Sequence, residues 1–159
     1  MSCELPGFRI EPLGGNHSRE AFCCGNNVID KFVRERALKD HQSYKVRVRV
    51  ASIDDVDHIV GFYSLSLKTL APKSIGGSIG NKFGKWNIPA VYLSMIGTHQ
   101  DFKKRHIATE LLLHAFQSTL DIADLAGTAC LTLDAVDEEM ARWYAVRSFK
   151  RLPTRTWRP

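Results

Sequence analysis

The chain has 159 residues, 44% hydrophobic and 25% charged, enough to bury one ordinary globular core and unlike a disordered or fibrous chain. No apolar run approaches the roughly 20 residues that cross a bilayer, and the start, MSCELPGFRIEPLGG, is interrupted by Glu4, Pro6, Arg9 and Glu11, unlike a signal peptide. These features lead us to expect one cytoplasmic domain over residues 1–159, whose net charge of +5 and pI near 9.1 favour polyanionic partners: nucleic acid, coenzyme phosphates or an acidic protein.

FRIEPL (8–13) reads as a short strand, followed by a GGN turn. In NNVIDKFVRERALKDH (26–41), Val28, Ile29, Phe32, Val33 and Ala37 recur at roughly helical spacing, with Lys31, Arg34, Arg36 and Lys39 outside against Asp30, Glu35 and Asp40. KVRVRVAS (45–52) alternates apolar and basic residues, as a half-exposed strand does, and the acidic turn DDVDH joins it to IVGFYSLSLKTL (59–70) as a hairpin. APKSIGGSIGNKFGKWNIP (71–89) has no periodicity and reads as a mobile excursion, a kind of loop that is often functional.

AVYLSMIGT (90–98) resumes the sheet, and a helix over about 106–120 buries Ile107, Leu111, Leu112, Ala115 and Phe116. TACLTLDAV (128–136) is the next strand, EEMARWYAV (138–146) a short helix, and SFKRLP (148–153) the start of a last strand. Strand, helix and strand in succession imply a parallel crossover, hence a mixed α/β sheet flanked by helices. Cys3, Cys23, Cys24 and Cys130 lack C-x-x-C spacing and read as buried or incidental thiols, so no metal site is expected.

Between strand 90–98 and its helix, HQDFKKRH (99–106) crowds Lys103, Lys104, Arg105 and His106 into one turn. A strand that turns into a helix points unpaired N–H groups outward, and with the positive end of the helix dipole they form a phosphate site. Four cationic side chains repel such a helix start, a penalty that an anion seated in the turn removes. Charge alone leaves a solvated basic turn equally open. The turn is neither a Walker loop nor a dinucleotide fingerprint, since G-x-x-x-x-G-K and G-x-G-x-x-G are both absent.

VYLSMIGTHQDFKKRHIATELL resembles the central strand, pyrophosphate loop and following helix of the GCN5-related N-acetyltransferase (GNAT) superfamily. Its Q/R-x-x-G-x-G/A pattern falls without gaps on Lys103–Ala108, with Lys103 in place of Gln or Arg and His106 in place of the first glycine. LTLDAVDEEMARWYAVRSF (131–149) resembles the later strand, helix and "FY-x-x-x-GF" motif, with Trp143-Tyr144 for Phe-Tyr and Ser148 for glycine. FCCGNNVIDKFVRERALKDHQ (22–42) is similar to the "F-x-CGN" segment of one subgroup, the TacT/AtaT-type toxins of type II toxin–antitoxin modules.

The resemblance implies a GNAT fold whose central strand splays from its parallel neighbour to admit acetyl-CoA. By position, the amides of Ile96 and Thr98 would pair with the pantetheine arm and polarise the thioester. Those of Lys104, Arg105, His106, Ile107, Ala108 and Thr109 would cradle the pyrophosphate, with Lys103, Lys104 and Arg105 adding cationic contacts. A side chain at 106 sits where glycine permits close approach, so it should point outward from a slightly rearranged loop. Tyr144, which the apolar stripe Met140–Trp143–Tyr144 alone would make a core aromatic, becomes the general acid that protonates the departing thiolate.

No general base is obvious; Glu138, Glu139, Asp134, His99 and His114 read better as surface carboxylates and helix-face histidines. An α-amino group, with a reference pKa of about 7.7–8.0, needs little help to be neutral. The toxins acetylate the amino group of charged tRNA and so block translation. Arg34, Arg36, Lys39, Lys45, Arg47, Arg49, Lys82 and Lys85 are the candidate phosphate contacts. A homodimer and a small DNA-binding antitoxin, of ribbon-helix-helix type, complete the implied partners. Two other readings stay open: an acetyltransferase of a small amine or a protein, and a non-catalytic module that binds nucleic acid or a partner.

Overall fold

The alternation in KVRVRV becomes strand β2 (Arg47–Ser52), with Val48 and Val50 fully buried on one face and Arg47 and Arg49 on the other. The structure is a computed structural model that describes residues 4–152. Strands β1 (Arg9–Pro12), β2, β3 (Gly61–Leu70) and β4 (Ile88–Thr98) lie antiparallel in chain order. Strand β5 (Cys130–Leu133) then joins parallel to β4.

One face of the sheet carries Val48, Val50 and Phe62 against α1 (Asn27–Lys31) and α2 (Ala37–Gln42). The other carries Tyr63, Leu65, Val91 and Leu93 against Ile107, Leu111 and Leu112 of α5 (Ile107–Ala126) and Tyr144 of α6 (Glu138–Ala145). The stripe expected on α5 is the buried one: Ile107, Leu111, Leu112 and Ala115 are at most 2% exposed, and Phe116 packs beside them. Helix α5 is the crossover that makes β4 and β5 parallel. The mixed α/β architecture is therefore as expected.

The first helical segment is interrupted by a π-helical turn over Phe32–Arg36, where the Ala37 N–H donates to the carbonyl of Phe32. Arg19 donates to the carbonyls of Val33 and Arg34, at 3.1 and 3.3 Å, satisfying acceptors inside the wide turn. Asn26 caps the start by accepting from the N–H groups of Val28 and Ile29.

Three expectations need correction. Residues 71–89 hold two short helices, α3 (Pro72–Ile75) and α4 (Gly77–Phe83), rather than an aperiodic loop. Pro72 presets the first helical φ, and Gly76 at φ +66° ends that helix and opens the next. Of residues 128–136, only Cys130–Leu133 pair in the sheet. Residues 148–152 form no strand, because the chain turns back and the Phe149 N–H donates to the carbonyl of Tyr144 at 3.2 Å. Cys3 and the tail Thr154–Pro159 lie outside the described residues. Among the described residues, no helix is long and apolar enough to cross a membrane.

Candidate active site

The parallel pairing of β4 with β5 runs from Ala90–Cys130 to Leu93–Leu133 and stops there. Strand β4 continues to Thr98, paired only with β3, so five residues have one open edge among the described residues. At the point of parting the β3–β4 register slips: Leu65 opposes Leu93, but Ser64 opposes Met95, leaving Ser94 as the extra residue of a bulge. The N–H of His99 donates to Val60 on the β3 side at 2.8 Å. Strand alternation then turns the N–H groups of Ile96 and Thr98 toward the open edge. The Thr98 Oγ1 is buried and has no hydrogen-bond partner among the described residues. An orphaned polar atom at an open strand edge leaves a hydrogen bond for a ligand to make.

Beyond Thr98 a single 3₁₀ turn (Gln100–Phe102) leads to Lys104 and His106, both left-handed at φ +63°. The Glu110 N–H makes the first helical bond to the His106 carbonyl, at 3.0 Å, and no side chain caps α5. The amides of Ile107, Ala108 and Thr109 thus point out of the helix start as free donors, and the left-handed turn before them adds to an anion-binding concavity. This arrangement fits a diphosphate. His106 keeps the backbone conformation a glycine would adopt, and its side chain is exposed. The outward side chain is as expected; its left-handed backbone is the finding. Ile107 seats the helix start close to the sheet, where a Cβ on Gly61 would come within 3.0 Å of both Ile107 and Leu111.

The four cations of the turn do not act alike. Lys104, Arg105 and His106 are exposed, and the Arg105 guanidinium lies 5.6 Å from the centre of the Phe102 ring. Lys103 is exposed as well but reaches back, and its Nζ donates to the Cys24 carbonyl at 2.7 Å.

Tyr144 stands on α6, which Asp137 caps by accepting from the Met140 N–H at 2.8 Å. Its ring meets Trp143 and Phe149 edge-on, at 5.2 and 5.4 Å between centroids, in the cluster that also holds Leu93 and Ile107. The hydroxyl makes no hydrogen bond to a described residue, and burial pushes the phenol's pKa up to about 12. At neutral pH it is protonated and holds a proton to give, as a weaker acid than a phenol in water. Ser148, in the second glycine position of the resemblance, is also left-handed, at φ +74°.

The base candidates are mostly occupied. His99 accepts from the Asp101 N–H and its Nε2 meets the Ala21 carbonyl at 3.1 Å. His114 Nδ1 is 2.6 Å from the Tyr63 hydroxyl, Asp134 accepts from Tyr92, and Glu138 pairs with Arg151. Glu139 is exposed.

Of the cations proposed for nucleic acid, Arg34, Arg36, Lys39, Lys45, Arg47, Lys82 and Lys85 are all exposed. Arg36 pairs with Asp40 at 3.1 Å, and Arg47 donates to the His41 carbonyl beneath Tyr44. Arg34 spends its guanidinium on the Phe22 carbonyl. Lys45, Arg47 and Arg49 also line a cleft of about 620 Å³ between β2, β3 and the later half of α5, away from the turn. Neither that cleft nor the orphaned Thr98 hydroxyl left a sequence signal, because both depend on contacts between distant segments. Among the described residues, no His, Cys, Asp and Glu side chains are grouped to hold a metal ion.

Comparison with known proteins places these features in context. The chain is 32% identical over 154 residues to the probable toxin TacT of Sinorhizobium fredii, covering 91% of this chain and 85% of that one. It is 25% identical over 134 residues to the tRNA-acetylating toxin of Mycobacterium tuberculosis, covering 84% and 79%. The structure of AtaT complexed with acetyl-methionyl-tRNAfMet superposes with a TM-score of 0.87 at 19% identity, over 94% of this chain and 90% of that chain. No protein-family model matches the chain.

Proposed function

Because this chain belongs to the family of TacT-type toxins, GNAT-fold proteins of toxin–antitoxin modules, we propose that it moves acetyl from acetyl-CoA to the α-amino group of an aminoacyl-tRNA and so stops translation. The observation that carries this reading is the uncapped, left-handed start of α5 beside the open edge of β4, with a protonated phenol in the same core cluster. The coenzyme supplies the acetyl group as a thioester.

In this reading the amides of Ile107, Ala108 and Thr109, with those of Lys104, Arg105 and His106, hold the diphosphate. The N–H groups of Ile96 and Thr98 orient the pantetheine arm and the acyl oxygen, and the buried Thr98 hydroxyl gains its missing partner there. The neutral amine attacks the carbonyl carbon, a C–N bond forms, the nitrogen releases its extra proton to water and the C–S bond breaks. The Tyr144 hydroxyl delivers its proton to the leaving sulfur and is reprotonated from solvent. Lys103 serves the turn through its bond to Cys24 rather than as a free phosphate ligand.

The candidate tRNA contacts are Lys39, Lys45, Lys82, Lys85 and Arg47, with Arg36 tied to Asp40 and Arg34 to the protein itself. The protein acts in the cytoplasm as a homodimer, held in check by a small antitoxin of ribbon-helix-helix type.

The test is transfer of labelled acetyl to a pool of charged tRNA, with polyamines and peptides offered in parallel. Label in tRNA, lost in Tyr144→Phe while acetyl-CoA binding is retained, supports the proposal. Label only in polyamines or peptides ends it.

A further inference from the structure

Residues 21–24 have no regular secondary structure, yet each of their four carbonyls is taken by a donor from elsewhere. The Ala21 carbonyl receives Nε2–H of His99 at 3.1 Å, since the other ring nitrogen already accepts from Asp101. Phe22 receives Arg34, through Nε at 2.9 Å and also through Nη2. Cys23 receives the backbone N–H of Gln100 at 2.8 Å, and Cys24 receives the Lys103 ammonium at 2.7 Å. From the helix side, buried Asp30 accepts the Cys24 N–H at 2.8 Å. The Phe22 ring, fully buried, meets Phe62 and His99 edge-on.

The donors fall into two groups. His99, Gln100 and Lys103 belong to the turn that leads into α5; Arg34, with the acceptor Asp30, belongs to the first helical segment. Phe22 and Cys24 are buried, Cys23 is half-buried and Ala21 is exposed; a carbonyl shut away from water needs a donor, so where Phe22 and Cys24 sit constrains Arg34 and Lys103. We infer that Phe22–Cys24 is a brace that fixes the anion-holding turn, with Arg34 and Lys103 as positioning residues on its two sides. This rests on the coenzyme site proposed above and gives the "F-x-CGN" segment a role. It also gives the exposed Arg34 a role apart from tRNA: its effect should appear in coenzyme binding with no tRNA present.

Calorimetric titration of the full chain with acetyl-CoA, without tRNA, tests this. Arg34→Met and Lys103→Met should each weaken binding about five- to tenfold, the loss of one charge-assisted hydrogen bond. The double variant should lose little beyond the worse single, because both act through one segment and their effects are not additive. Lys103→Arg, which can still donate to Cys24, should bind as the parent does.

Amide exchange in the parent protein gives a measure independent of any substitution: the Gln100 N–H should be protected, and faster to exchange in Arg34→Met. Binding by Arg34→Met within about twofold of the parent, or losses that multiply in the double variant, would overturn the brace. So would a Gln100 amide that exchanges at the rate of a free loop. A parent protein that binds no acetyl-CoA would overturn the coenzyme reading itself, and the brace with it.

Discussion

Tyr144 and His106 show how single side chains are set by their surroundings here. The phenol of Tyr144, 6% exposed with no polar partner among the described residues, stays protonated because the core gives its anion no solvation. That has a thermodynamic consequence. A phenol whose pKa rises from its ordinary 10 to about 12 on folding stabilises the protein fully below pH 10 and loses that contribution as pH climbs to 12. The loss is about 2–3 kcal/mol for a two-unit shift. Tyr144→Phe cannot show it, so urea unfolding at pH 9 and again near pH 11.5 should find the parent losing ground to the variant by that order. Equal alkaline losses in both proteins would mean that the hydroxyl is hydrated in the fold. The buried thiol of Cys24, pushed up to about 11, loses stability over an overlapping range in both proteins and cancels in the comparison.

At the scale of the element, the start of α5 was legible in part. The strand end, the cationic turn and the apolar stripe at helical spacing were all local patterns, and local patterns survive folding. The family glycines were missing at 106 and 148, yet both residues take the left-handed conformation those glycines would supply. Backbone geometry can thus be kept after the residue that makes it easy has gone. A non-glycine residue pays about 1–2 kcal/mol to sit there, while a glycine would raise the entropy of the unfolded chain by about 0.4–1 kcal/mol. His106→Gly should therefore be stabilising by about 0.5 kcal/mol, a rise in urea midpoint with acetyl-CoA affinity intact. A lower midpoint would show that the imidazole makes a contribution of its own.

What was not legible at this scale depended on partners distant in sequence. Lys103 reads as a phosphate contact, and its bond to the carbonyl of residue 24 has no local signature. Arg34 reads as a nucleic-acid contact, and its bond to the Phe22 carbonyl has no local signature either. The helices at 72–83 were hidden because seven residues of GSIGNKF have neither propensity nor a wide apolar face. Their boundaries come from Pro72 and Gly76, which look the same in a loop.

At the scale of the whole molecule, the proposed coenzyme and tRNA contacts differ in kind. The diphosphate is expected on backbone amides at one helix start, which carry no net charge. A polynucleotide must be held by separate exposed cations, and Lys82 and Lys85 sit on and just after α4, next to Trp86, whose indole is 71% exposed. An indole left in water beside two lysines suits an unpaired base, which stacks while its phosphates meet the cations. Every phosphate neutralised by such a lysine releases condensed counterion, so affinity for tRNA should fall steeply with salt. Replacing both lysines by glutamine should reduce the slope of log K against log salt by about 1.4–1.8, taking 0.7–0.9 per phosphate. Acetyl-CoA affinity should not change, because neither lysine belongs to the cradle. A filter-binding series of tRNA from low to moderate salt, run beside calorimetry with acetyl-CoA, separates the two. An unchanged slope would move the tRNA path off this arm and toward Lys39, Lys45 and Arg47, whereas a joint loss of both ligands would mean that the α3–α4 arm supports the coenzyme site.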